Sequence, residues 1–361
     1  MYFLPIPEKY YQLTDEELEE RIRAAKNELG DRLVILGHHY QRDEIIQFAD
    51  FRGDSFKLSQ LAAERADAEY IVFCGVHFMA ESADILSQPN QKVVLPDLKA
   101  GCHMADMAEI DAVEECWDEL EEIAPGAATP ITYMNSAANL KAFVGENDGA
   151  VCTSSNAAAV LEWAFDKAER ALFFPDEHLG RNTGWAMGIP LDEMTVWDPR
   201  LPLGGNTPEQ IERSRIVLWK GNCPVHQLFT VKQIQRMREM FEDIHILVHP
   251  EVRHEALREA DLYGSTAYIV KTIEEAEPGS KWAIGTELHL VNRLAKEHPD
   301  KTIVSVDPNM CLCTTMNRID PPHLSWVLDN LLEDRVVNQI TVDPAVAEWA
   351  LTALNRMLSI V

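Results

Sequence analysis

His38-His39-Tyr40, Cys223-Pro224-Val225-His226 and His249-Pro250-Glu251 each close an apolar run with groups that can ligate a metal or move a proton. In an extended segment His38 and Tyr40 share one face and His39 takes the other. Pro250 fixes a turn that presents the His249 imidazole and the Glu251 carboxylate to one crevice, where they suit proton transfer, although Glu251 would serve equally as a helix cap. Cys223 and His226 read either as half a zinc site or as a nucleophilic Cys-His pair, and no companion motif decides between them. Gly53-Asp54-Ser55 and Gly264-Ser265-Thr266 are turns whose hydroxyls cap the next helix, an arrangement that also cradles phosphates and oxyanions.

Positioning these groups falls to a repeated pattern. From residue 32 onward, β-branched runs of strand length alternate with Ala/Leu/Glu segments of helical length, the signature of βαβ units and a parallel sheet. Segments 32–50, 129–145 and 243–261 each place an apolar strand before a polar cluster and an amphipathic helix. Each is followed by a second strand and turn (69–86, 149–165, 260–276), then by a third strand (91–97, 169–176, 301–307). A Cys lies beyond each third strand: Cys102, Cys223, and Cys311 or Cys313. The order predicts three related α/β/α units with parallel sheets around a pseudo-threefold axis, the Gly/Pro-rich stretch 179–206 being an insertion in the middle unit.

Ligands of open α/β sheets bind beyond the carboxyl ends of the strands, where helix N-termini offer unpaired N–H groups. With those edges turned inward, one central cavity would collect His38, Tyr40, Ser55, Tyr133, Asn135, Ser154, Cys223, His226, His249, Glu251 and Thr266, a set suited to a small polyanionic substrate. Converging thiolates of Cys102, Cys223 and Cys313 would suit an iron–sulfur cluster, and three ligands would leave one iron of a 4Fe-4S cluster open. Cys74, Cys116 and Cys152 read as small buried hydrophobes.

Composition narrows the function classes. Against 32 basic residues stand 59 acidic ones, and the net charge of -27 disfavours nucleic acid and anionic lipid as partners. The start MYFLPIPEKYY has neither the basic end nor the apolar stretch of a signal peptide, no apolar run approaches the ~20 residues of a membrane span, and the odd set of Cys fits a reducing compartment; a cytoplasmic protein is expected. Dinucleotide (GxGxxG), P-loop (GxxxxGK[ST]) and α/β-hydrolase (GxSxG) fingerprints are missing. Thr14-Asp15-Glu16-Glu17 reads as a capping box that starts a helix running to about Asn27.

Taken together, GHHYQRDEIIQFADFRGDS, VHFMAESADIL, TYMNSAANLKA, CTSSNA, PDEHLGR, WKGNCPVH, LVHPEV, GSTAYI, GTELHLVNRL and the Cys segment before MNRID closely resemble the quinolinate synthase family, through nearly the whole chain. The resemblance implies three similar α/β domains and a 4Fe-4S cluster held by Cys102, Cys223 and Cys313, the last chosen because the Thr-Thr-Met that follows it fits the family's Cys-x-x-Met context. It implies condensation of iminoaspartate with dihydroxyacetone phosphate to quinolinate for NAD biosynthesis, with an open iron as Lewis acid. It further implies that Tyr40, Tyr133 and Glu251 move protons, that His38, His226 and His249 bind oxygens, and that Ser55, Asn135, Ser154 and Thr266 complete the cradle. Expected boundaries are a helical extension 1–30, units 31–108, 109–228 and 229–320, and helices 321–361 packing on the first unit. A monomer or homodimer is expected, with transient contact to the enzyme that makes the unstable iminoaspartate. Competing readings are a non-catalytic anion binder and a zinc hydrolase.

Overall fold

The computed structural model describes residues 5–65, 67–307 and 312–360, side chains at 56, 59 and 62–64 aside. Two compact units result: one holds residues up to Cys102 with Leu312–Asp343, the other runs from His103 and includes the segment from Pro344.

The first unit opens with α1 (Asp15–Leu29), whose capping box joins Thr14 and Glu17 as expected and which ends at Gly30. There follow β1 (Leu33–His38), α2 (Asp43–Ile46), β2 (Phe51–Gly53), α3 (Ser55–Glu64), β3 (Tyr70–Cys74), α4 (His77–Leu86) and β4 (Lys92–Val94). The second unit runs α5 (Ile110–Ile123), β5 (Ala128–Tyr133), α6 (Ala138–Glu146), β6 (Ala150–Cys152), α7 (Ala157–Phe165), β7 (Arg170–Phe174), α8 (Glu177–Ala186), β8 (Met194–Trp197), α9 (Pro208–Arg213) and β9 (Ile216–Trp219). It continues through α10 (Val231–Met240), β10 (Ile244–Val248), α11 (His254–Leu257), β11 (Leu262–Tyr263), α12 (Thr266–Glu275), β12 (Lys281–Gly285), α13 (Leu288–Glu297) and β13 (Thr302–Ser305). Last come α14 (Pro321–Leu332) and β14 (Gln339–Ile340), back in the first unit, and α15 (Pro344–Ser359) in the second.

Three sheets form, with orders β14-β4-β3-β1-β2, β6-β5-β7-β9-β8 and β11-β10-β12-β13. All pairings are parallel except the antiparallel addition of β14 to β4. Each sheet contains the same four-strand core, in which the first strand lies between the second and third and the fourth lies outside the third. The central strands β1, β3, β7 and β9 are buried along their whole length, as parallel strands covered on both faces must be, and so read as continuous apolar runs.

Pairing registers align the three sheets, each the centre of one α/β unit, and correct the strand count of the sequence expectation. The second strand of the first unit is β2, not the segment 69–86, which holds the third strand β3; the segments 91–97 and 301–307, expected as third strands, are the fourth strands β4 and β13, the third strand of the last unit being β12, whereas 169–176 is the third strand β7 as expected, with β9 the fourth. The Phe51-Arg52-Gly53 strand is too short and too polar to register as an apolar run. A side-chain device supports the alignment: Asp50 accepts the Ile35 N–H at 2.8 Å and Asp261 accepts the equivalent Ile246 N–H at 2.7 Å. The middle unit has Pro130 at that position, with no N–H to satisfy, and Gly149 takes the place of the Asp because a Cβ there would strike the Pro130 carbonyl.

The stretch 179–206 contains most of α8 and the edge strand β8, which pairs in parallel with β9. At the C-terminal end α14 packs on α1, where Tyr10 and Arg21 both bind Asp329 at 2.6 Å, whereas α15 lies instead on α6. Close approach of α6 and α15 depends on Gly145, where a Cβ would collide with the Trp349 carbonyl. Gly145→Ala is accordingly expected to cost ~1–3 kcal/mol through overpacking, read as a lower urea midpoint; an unchanged midpoint would show that the helix pair yields freely. Among the described residues, no helix is long and apolar enough to cross a membrane.

Candidate active site

The registers place the sequence-predicted site residues at recurring positions. Leu36, Ile131 and Leu247 pair with Phe51, Ala150 and Leu262, so His38, Tyr133 and His249 occupy one position at the end of the first strand of each unit. Two residues further on stand Tyr40, Asn135 and Glu251, and after the second strand stand Ser55, Ser154 and Thr266. Ser55 and Thr266 each begin a helix of ten residues. Their neighbours cap these helices: Asp54 accepts the Lys57 N–H and Ser265 the Tyr268 N–H.

The cysteines follow the same rule. Cys102, Cys223 and Cys313 each follow the fourth strand of a unit and precede a short 3-10 turn that starts three residues later, at Ala105, His226 and Met316. The next helix starts eight residues after the Cys each time, at Ile110, Val231 and Pro321. Cys311 lies outside the described residues, and that spacing belongs to Cys313. All three recurring thiols are part-exposed, whereas Cys74, Cys116 and Cys152 are buried and burial pushes their thiols up, Cys74 to about 12. The part-exposed donor set at the recurring positions suits soft-metal ligation better than the three buried thiols do.

In the second unit the side chains form a connected network. His226 Nδ1 lies 2.7 Å from Glu251 Oε2, to which it donates, and Nε2 lies 3.0 Å from Thr286 Oγ1, whose hydroxyl can take either role. The His249 ring stacks on His226 with centroids 4.5 Å apart, and Tyr133 donates its hydroxyl to Glu251. Cys223, His226 and Glu251 bring one ligating atom each within 4.8 Å of one another. In the first unit the His38 and Tyr40 rings meet edge to face at 4.8 Å, and His38 Nδ1 accepts the Tyr40 N–H.

Electrostatics separate the roles of these groups. Burial pushes the His249 imidazole down to about 3, against the pull of Glu251, so the ring is neutral near pH 7. Burial alone would raise Glu251, but the flanking imidazoles and the hydrogen bonds from His226 and Tyr133 outweigh it and hold the carboxyl below its usual range. Asp176 is pushed the opposite way, upward, by complete burial and by the Glu251 charge. Two neighbouring carboxyls driven apart in this way are a usual basis of acid–base work.

Asp176, Asn182 and Thr286 were not singled out in the sequence, although each belongs to this network. Asp176 caps α8 through the Leu179 N–H and accepts the Cys223 N–H at 3.1 Å. Its place between Pro175 and a helix is a capping signal; its reach to Cys223 is tertiary and left no local trace. Gly221 completes the fit, since a Cβ there would meet the Pro175 carbonyl.

Within the compact unit that starts at His103, imidazoles, a carboxylate, hydroxyls and the Cys223 thiol gather at the carboxyl edges of parallel strands, the arrangement of an α/β enzyme. The family model described as quinolinate synthetase A protein matches residues 20–359. A quinolinate synthase of Corynebacterium glutamicum is 56% identical over 357 residues, covering 99% of this chain and 91% of that protein. A quinolinate synthase of a Geobacillus species is 55% identical over 358 residues, covering 98% and 96%. The chain belongs to the quinolinate synthase family.

Proposed function

We propose that this protein condenses iminoaspartate with dihydroxyacetone phosphate to give quinolinate, one phosphate and two waters, supplying the pyridine ring for NAD biosynthesis. The observation that carries this reading, beyond family membership, is the recurrence of Cys102, Cys223 and Cys313 at one position relative to strand, turn and helix in three units. Those three thiolates are the proposed ligands of a 4Fe-4S cluster. When bound, such a cluster with one open iron supplies Lewis acidity toward a carboxylate or hydroxyl oxygen.

The chain's own residues bind, orient and transfer protons. The phosphate and carboxylates are held by N–H groups at the starts of α3 and α12, with the hydroxyls of Ser55 and Thr266 and the side chains of Ser154 and Asn135. His38 and His249 orient substrate oxygens, and the neutral His249 ring can donate or accept without adding charge. His226, which faces Glu251 in this state, joins them by exchanging its Thr286 contact for substrate. Glu251, kept ionised and hydrogen-bonded to Tyr133, takes a proton from carbon as the skeleton isomerises. Tyr133 and Tyr40 return protons to departing oxygens. The reaction is proposed to occur in the cytoplasm, in a monomer or homodimer, with the short-lived imine passed on by transient contact with the enzyme that makes it.

The test is product stoichiometry under anaerobic conditions, with iminoaspartate generated in situ. One inorganic phosphate per quinolinate is expected; phosphate release with no pyridine product would overturn the reading.

A further inference from the structure

Helix α8 follows β7 of the sheet β6-β5-β7-β9-β8, yet its buried Asn182 reaches the turn after β10, in the sheet β11-β10-β12-β13, that carries His249 and Glu251. Asn182 Nδ2 donates to the Pro250 and Val252 carbonyls, both at 2.8 Å, so one amide grips the chain on either side of Glu251. Asn182 Oδ1 lies 2.9 Å from His254 Nδ1, which fixes which way the amide faces. The His254 ring is wedged edge-on against Trp185 with centroids 5.2 Å apart. Burial and the nearby Arg258 and Arg181 push its imidazole down, so the neutral ring donates from Nδ1. At its N-terminus α8 holds the Cys223 N–H through its cap, Asp176. One helix therefore ties both the Cys223 loop and the Glu251 turn.

We propose that Asn182 is a positioning residue for the reaction, acting through Glu251: its two hydrogen bonds set where the carboxylate stands relative to His226 and Tyr133. The proposal rests on the proton-transfer role given to Glu251 above. Proton transfer tolerates little misplacement, and an error of about 1 Å costs on the order of 100-fold. No other donor to the Pro250 or Val252 carbonyl is seen among the described residues, so both carbonyls lose their partner when the amide goes, while the bonds of the turn to His249 and His226 remain.

The test is a double-mutant cycle on the reconstituted protein together with hydrogen exchange on the full chain. Asn182→Ala is expected to lower kcat about 10- to 100-fold with KM within about threefold and iron content unchanged. In the Glu251→Gln background the same substitution should cost no more than about twofold, because the group it positions is already disabled. Exchange of amides in residues 249–253 should quicken in Asn182→Ala at least tenfold more than in residues 223–229. His254→Ala, which frees the amide without removing it, should shift both readouts the same way by less. Equal losses in both backgrounds, or unchanged exchange at 249–253, would overturn the positioning role. A wild-type protein that makes no quinolinate would instead count against the functional reading, and the exchange result would still stand or fall alone.

Discussion

Cys313→Ser and Cys102→Ser are each expected to remove the cluster and to drop quinolinate formation below about 1% of wild type, because an alkoxyl ligand does not replace thiolate in an iron–sulfur site. Cys311→Ser should leave iron and turnover near wild type. The distinction comes from spacing: only Cys313 stands three residues before a 3-10 turn and eight before a helix, as Cys102 and Cys223 do. In that turn the Asn317 N–H binds the Cys313 carbonyl at 2.9 Å, matching the bond from the Gln227 N–H to the Cys223 carbonyl at 3.1 Å. Iron and sulfide content, with the visible spectrum, reads the outcome on anaerobically prepared variants. Full iron in Cys313→Ser and loss in Cys311→Ser would move the third ligand and break the threefold correspondence.

Tyr133→Phe is the second large effect. It keeps the ring in its buried place at the end of β5 and removes only the hydroxyl that Glu251 accepts from. Loss of a positioned proton-transfer group costs ~100- to 10,000-fold in turnover. Cluster content and substrate affinity should hold, so the loss falls on kcat. Removing that donor also withdraws one of the bonds that hold the Glu251 carboxyl down, and the acid limb of the kcat profile should move toward higher pH. Glu251→Gln should be about as damaging, and the pair together little worse than either, since hydrogen-bonded partners act as a unit. A Tyr133→Phe variant that turns over at the wild-type rate would remove Tyr133 from the mechanism.

The repeat was legible because parallel strands covered on both faces become unbroken apolar runs, and β1, β3, β7 and β9 all read that way. Its alignment was not, since β2 has three residues and β11 two, too few for any period. Recurring positions were legible where polar groups sit beside a strand end: His38, Tyr133 and His249, and the hydroxyl turns at Ser55, Ser154 and Thr266. Asn182, Thr286 and Asp176 escaped because their roles are contacts between distant elements. Asn182 lies in the middle of α8, where an amide reads as a surface residue until the turn at Pro250 packs against it. The destination of α15 on α6 was likewise invisible, because an apolar helix face does not name its partner.

Iron, acid-labile sulfide and quinolinate formation, measured on one anaerobic preparation before and after cluster reconstitution, test the cluster-dependent reaction most directly. Four iron and four sulfide per chain are expected, with turnover that rises with cluster content and disappears as air bleaches the chromophore. A folded protein that makes quinolinate without bound iron, or that binds the full cluster and makes none, would contradict it.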